Sequence, residues 1–112
     1  MKRGEIWTLR DSQYASKARP AVIVQADLAD DFESVILVLL TTFDRHGCAT
    51  RVLITPTNTN GLKETSYVMS EKLLTVRQSD LGFRVGALTA DQMHEVSRQL
   101  VAVLGITADD VG

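Results

Sequence analysis

Ser34-Val35-Ile36-Leu37-Val38-Leu39-Leu40-Thr41-Thr42-Phe43 is the stretch on which the fold turns. Six apolar residues in a row, Val35 to Leu40, fit either a buried helix or a strand covered on both faces. The run is short for a helix, and its flanking polar breakers favour a central strand over 34–43. Left open to solvent, such a segment would promote aggregation, so it belongs inside a sheet. Upstream, Arg19-Pro20-Ala21-Val22-Ile23-Val24-Gln25 reads as a second buried strand, over 19–26. Pro20 fixes its own φ and pushes Arg19 toward extended geometry. The four apolar residues that follow include two valines and an isoleucine, and so favour a sheet. One cation therefore stands at the mouth of a buried strand. Taken alone, it reads as a surface arginine; held this way, it is also preorganised to grip an oxyanion.

Outward from these two strands, residues 4–10 alternate enough to form a first strand, and 11–17 form a polar loop. An acidic connector covers 27–33, with room for one helical turn. Further short strands fall at 51–55, 67–76 and 83–88, separated by loops holding Gly47, Asn60-Gly61 and Gly82. The one helix runs over 90–104. Thr89 caps it, Gln92 completes a capping box, and Gly105 stops it. Met93, Val96, Leu100, Val103 and Leu104 make an apolar stripe at helical spacing, which is core or a dimer seam. Short strands with turn signals, closed by one helix, predict a mainly β fold: a small, strongly bent antiparallel barrel with a C-terminal helix. A length of 112 residues gives a single domain, 1–112.

Composition is that of an ordinary globular chain, 45% hydrophobic and 23% charged. No run reaches the ~20 apolar residues of a membrane helix, so no membrane association is expected. The lone Cys48 forms no internal disulfide, which fits a reducing compartment and a cytoplasmic protein. A net charge of −2 argues against broad, non-specific nucleic-acid binding, but folding could still assemble a local basic groove.

Metal and thiol chemistry find little footing. His46 and His94 do not share ligand spacing with Cys48, and the acids Asp27, Asp30, Asp31 and Glu33 read as a solvated connector. His46-Gly47-Cys48 would place a base beside a thiol, but such partners usually meet through the fold rather than as neighbours. The strand ends are more telling. Thr41 and Thr42 end the most hydrophobic strand, and Arg19 begins its expected antiparallel neighbour. A guanidinium beside a hydroxyl makes a workable phosphate clamp.

Read as an ordered set, Arg3-Gly4-Glu5-Ile6-Trp7, Arg19-Pro20-Ala21-Val22-Ile23-Val24, Leu40-Thr41-Thr42, Asn60-Gly61-Leu62, Glu71-Lys72, Thr75-Val76, Leu81 and Gly86 resemble the MazF/PemK toxin family. The match keeps order and spacing over residues 2–105. The resemblance implies an SH3-like barrel assembled as a homodimer. It implies a metal-independent endoribonuclease without cofactors, cutting single-stranded RNA, chiefly messenger RNA, at short sequence motifs. Attack by the RNA 2′-hydroxyl would leave a 2′,3′-cyclic phosphate and a 5′-hydroxyl. The implied partners are single-stranded RNA and an antitoxin whose flexible acidic tail fills the RNA groove; operator DNA would be bound only through that complex.

Carried over residue by residue, Arg19 matches the family's catalytic arginine, Thr41 its catalytic threonine, and Glu71 an acid to which one branch assigns proton transfer. Thr42, Lys72, Lys17 and Tyr14 are the expected RNA contacts, Tyr14 as a stacking surface. Arginine stays protonated in proteins, so Arg19 is assigned charge stabilisation and the base is left to Glu71 or water. Two departures stand out. The first loop, Ser12 to Lys17, lacks the acid some members carry there, and Lys72 replaces the usual glutamine. The altered loop leaves open a member that binds RNA or antitoxin without cutting. A gyrase-targeting toxin on the same barrel is the other alternative, against which the Arg19–Thr41 pair counts.

Overall fold

The computed structural model describes residues 1–10, 19–27, 33–44 and 47–112. The strands are β1 (Glu5–Leu9), β2 (Arg19–Ile23), β3 (Ser34–Thr41), β4 (Arg51–Ile54), β5 (Ser66–Arg77) and β6 (Leu81–Ala87), followed by α1 (Ala90–Leu104) and α2 (Ala108–Val111). They form one antiparallel sheet in the order β4-β5-β3-β2-β1-β6. The six-residue apolar run is therefore an interior strand, flanked by β5 and β2. Val35, Leu37, Val38 and Leu40 are buried within it.

Strand alternation sorts the core into two clusters. Ile6, Val22, Val38, Leu40, Val52, Ile54 and Val68 face one side, where Val96, Met93 and Leu100 of α1 pack on them. Leu9, Ala21, Ile23, Val35, Leu37 and Leu81 face the other, with Trp7, Leu39, Leu74 and Val76 packed around them. Apolar residues on both faces explain why β2 and β3 read as unbroken apolar runs rather than as alternating patterns.

The barrel expected from the sequence is not closed. The outer strands β4 and β6 do not pair, and the sheet is a bent, open one. The β4–β5 loop bridges part of the gap. Its Asn60, only 1% exposed, accepts from the backbone N–H groups of Thr57 and Leu62 and donates to the Thr55 carbonyl. The loop then lies across β6, where the Ala87 N–H donates to the Thr59 carbonyl at 3.1 Å. A side-chain carbon at Gly86 would collide with the Asn60 carbonyl, so only glycine permits this approach. Asn60 is thus a buried clamp inside a wide loop and not the tip of a tight hairpin.

The helix keeps its expected bounds. Thr89 and Gln92 form the reciprocal capping box, and Gly105 ends α1 in the left-handed conformation at φ 69°. Its stripe is divided. Val96 is buried and Met93 and Leu100 join the core, whereas Val103 and Leu104 remain exposed beyond it. No helix among the described residues is long and apolar enough to cross a membrane.

Candidate active site

Strand pairing sets Arg19 and Thr41 side by side. In the β2–β3 ladder Ala21 lies opposite Leu39 and Ile23 opposite Leu37. Continued by two residues, that register puts Arg19 across from Thr41, on the sheet face not covered by α1. Directly opposed residues on paired strands hold their Cβ atoms about 4.5–5.5 Å apart. The two side chains line one cavity of about 160 Å³, together with Pro20, Leu40, Thr42 and Ser66. At about 30 Å³ per water molecule this is space for a small anion such as a phosphate group. It lies where β2 begins and β3 ends, and Ser66 reaches it from the start of β5.

The hydrogen bonding leaves both groups free to act on a ligand. The Thr41 hydroxyl accepts the Phe43 N–H at 3.1 Å, which orients the oxygen and leaves its own proton to donate. Arg19 has no hydrogen bond or ion pair among the described residues and is half-buried. Its five N–H donors in a planar fork are therefore uncommitted among the described residues. Thr42 is exposed beside Thr41 on the same rim.

Glu71 stands apart from this cavity. It lies four residues beyond Tyr67 along β5, on the order of 13 Å at a strand rise of ~3.3 Å per residue. Its Oε1 accepts from the Thr50 hydroxyl at 2.8 Å, and its Oε2 accepts from Arg51 at 3.0 Å (Nε) and 2.8 Å. Partial burial pushes the Glu71 carboxyl up. Hydrogen bonds from Thr50, its own backbone and Arg51, with the Arg51 charge, outweigh this and hold it below the usual carboxylate range. Both oxygens are engaged and the group is ionised, which makes it a poor base in this conformation. Lys72 is exposed next to it.

Lys17 and Tyr14 lie outside the described residues, as does His46. His94 is exposed on α1, and the Cys48 sulfur sits 3.3 Å from the Thr50 hydroxyl. The sequence reading missed Ser66 and the Arg51–Glu71 pair. A serine at a strand start carries no signal of its own, and the ion pair joins residues twenty apart on two strands.

Residues 2–104 match the PemK-like, MazF-like toxins of type II toxin-antitoxin systems. The chain belongs to this family. It is 39% identical over 107 residues to a probable endoribonuclease MazF of Mycolicibacterium smegmatis, covering 95% of this chain and 98% of that one. The endoribonuclease MazF6 of Mycobacterium tuberculosis is 31% identical over 93 residues, covering 81% of this chain and 82% of its own. Among solved structures, an endoribonuclease in complex with its cognate antitoxin, from a mycobacterial species, superposes with a TM-score of 0.81 at 27% identity. It covers 96% of this chain and 97% of that one. The MazE–MazF complex of Deinococcus radiodurans, at 17% identity, shares the fold with a TM-score of 0.77 over 96% of this chain and 97% of that one. As a MazF-family protein, the chain is an endoribonuclease toxin of a toxin-antitoxin system.

Proposed function

We propose that this MazF-family toxin cuts single-stranded RNA, chiefly messenger RNA, at short sequence motifs and without a metal ion, using Arg19 and Thr41 as its catalytic pair. The observation that carries the reading is the shared cavity: an uncommitted guanidinium and a hydroxyl with a free proton on opposed strand ends. Cleavage starts when the RNA 2′-hydroxyl attacks its own phosphate. Charge then gathers on the non-bridging phosphate oxygens. The Arg19 fork neutralises that charge and the Thr41 hydroxyl donates to it, both held before the reaction begins. As the 2′-oxygen bonds to phosphorus, the bond from phosphorus to the 5′-oxygen breaks, and the leaving 5′-oxygen takes a proton from water; the products are a 2′,3′-cyclic phosphate and a 5′-hydroxyl. Water accepts the 2′-hydroxyl proton; Glu71 is the other acceptor, disfavoured while Arg51 and Thr50 hold its carboxylate ionised. Thr42, Lys72, Lys17 and Tyr14 contact the RNA on either side of the cut.

The chain works as one domain, 1–112, in the cytoplasm and away from membranes, paired with an antitoxin whose acidic tail competes for the Arg19 cavity. Operator DNA is bound only through that complex. A relative whose solved structure is a complex with its cognate antitoxin supports the antitoxin. Exposed Val101, Leu104 and Ile106 at the end of α1 support a homodimer.

The test is incubation of the purified protein with single-stranded RNA in EDTA, with sequencing of the new 5′ ends. Cleavage at recurring motifs with 5′-hydroxyl ends is expected, and Arg19→Ala should slow it by about 10²–10³. An Arg19→Ala protein that folds and cuts at the wild-type rate rejects the assignment.

A further inference from the structure

The nuclease reading above places a phosphate at Arg19 and Thr41, and the inference that follows rests on it. The same strand registers continue across the sheet. Leu9 lies opposite Arg19, Thr41 opposite Tyr67, and Tyr67 opposite Leu53. With Arg19 opposite Thr41, four neighbouring strands contribute one row to one face: a cation, a hydroxyl, a phenol ring and an aliphatic side chain. Strands lie about 4.8 Å apart, so Tyr67 stands one spacing beyond Thr41 and roughly 10 Å from Arg19. Its sequence neighbour Val68 points the other way and fills the core, which leaves the tyrosine half-buried at the surface.

A second cavity, of about 340 Å³, opens beside that ring. Tyr67 and Leu53 line it from β5 and β4, and Asp44, Gly47 and Cys48 line it from the segment after β3. Leu53 is 56% exposed, an aliphatic surface with nothing packed over it among the described residues. Arg51 also reaches the cavity, but its guanidinium is held by Glu71. Asp44 has no hydrogen bond or ion pair among the described residues. The cavity thus offers an aromatic ring, an apolar surface and a carboxylate with no partner among the described residues.

We propose that Tyr67 stacks an unpaired nucleobase flanking the scissile phosphate, and that Asp44 selects that base by accepting from its exocyclic amino group. Stacking on a tyrosine face is open to every base, because each has a π-face. Selection comes from Asp44. A carboxylate only accepts. Adenine, cytosine and guanine offer exocyclic amino donors, whereas uracil offers one ring N3–H flanked by two carbonyl oxygens that repel the acid. The subsite therefore prefers amino-bearing bases over uracil.

Binding and cutting separate the subsite from the nuclease reading. The probes are fluorescent 2′-O-methyl homopolymers of adenine, cytosine and uracil, whose blocked 2′ position prevents cleavage by the proposed route. Adenine and cytosine strands should bind more tightly than uracil. Tyr67→Ala and Tyr67→Leu should weaken adenine-strand binding by about 5- to 150-fold, the range that stacking of a base on an aromatic ring supplies. Tyr67→Phe should bind as the wild type does. Asp44→Ala should level the preference while keeping uracil binding. The leucine variant keeps apolar bulk at the site, and melting curves confirm that each variant folds.

Wild-type affinity in both Tyr67→Leu and Tyr67→Ala, an unchanged base preference in Asp44→Ala, or a wild type that binds no homopolymer overturns the proposal. In the cleavage arm, ends mapped from mixed-sequence RNA should lose their preference at one flanking position in Tyr67→Leu; unchanged ends also overturn the subsite while leaving the nuclease in place. A wild type that binds with Tyr67 dependence but cuts no RNA overturns the nuclease reading and leaves the subsite standing.

Discussion

Replacing Thr41 by valine tests the catalytic pair with the least disturbance to the fold. The substitution keeps the β-branched shape at the end of β3 and removes one hydroxyl. What the fold loses is the 3.1 Å bond from the Phe43 N–H. Phe43 is exposed, so its N–H can turn to water, and the cost is about 1 kcal/mol or less. For a domain near this size that lowers Tm by about 4–8 °C at most. What catalysis loses is larger. Thr41 lines the cavity shared with Arg19 and its hydroxyl keeps a proton to donate; one preorganised donor to a charge-bearing oxygen supplies about 2.7–4 kcal/mol, or 10²–10³ in rate. The assay follows cleavage of a fluorescent single-stranded RNA at saturating substrate, with thermal melts alongside. Thr41→Ser restores the hydroxyl without the methyl and should recover most of the rate. A valine variant that cuts as fast as the wild type refutes the argument. So does a serine variant as slow as valine, since the hydroxyl would then not be the group that matters.

Other outcomes follow from the same contacts. The Glu71 carboxyl is held below its reference value of 4.5, so it stabilises the fold fully above that pH and loses the contribution as pH falls through its depressed folded value. Glu5, whose own lowered pKa reflects bonds from the Lys2 N–H, Arg84 and Trp7 that exceed the effect of burial, adds to the same trend. Wild-type Tm should therefore drop on acidification below 4.5, and Glu71→Gln should flatten that slope. Arg51→Met leaves Glu71 without its cation and should cost about 1–3 kcal/mol, read as a shift in urea midpoint at constant slope. A midpoint equal to wild type would show the pair to be idle. Leu104 is 57% exposed at the end of α1, and Leu104→Glu should convert a dimer to a monomer in sedimentation without lowering helix content. A variant that stays dimeric places the seam elsewhere.

Much of this fold was legible because its signals were local or nearly so. The bounds of α1 follow from Thr89, Gln92 and Gly105, all within one turn of the helix ends. The β3 assignment follows from an apolar run too short for a helix and bounded by polar breakers, and the sheet does bury residues of it on both faces. What escaped were relations between distant residues. Whether β4 and β6 would meet depends on accumulated twist and on how far the β4–β5 loop reaches, and neither is written in a strand pattern. Asn60-Gly61 carries a turn signal. It does not say that the asparagine will be buried to clamp a loop against Gly86, since that requires β6 to arrive at the same place. The final turn, α2, was missed because a four-residue helix is too short to show periodicity.

The site divides in the same way, and the division explains why the meeting of one pair was legible and the surroundings of another residue were not. Arg19 and Thr41 sit at complementary ends of sequence-adjacent strands, and antiparallel geometry alone brings such ends together. Glu71 had no such constraint. Its role rested on resemblance, and its surroundings depend on β4, which arrives from twenty residues upstream to set Thr50 and Arg51 against it. A carboxylate held by Arg51 and Thr50 with a lowered pKa is a weak base, so an effect on the reaction through Arg51 is the alternative to direct proton transfer. Arg51 in turn lines the cavity beside Tyr67. If that chain of contacts holds, Glu71→Gln should alter which bases flank the cut more than it alters the rate. A direct proton acceptor would show the reverse, a large loss of rate with the cut sites unchanged. Mapping the ends produced by Glu71→Gln alongside its single-turnover rate separates the two roles, and the ion pair in this structure favours the first.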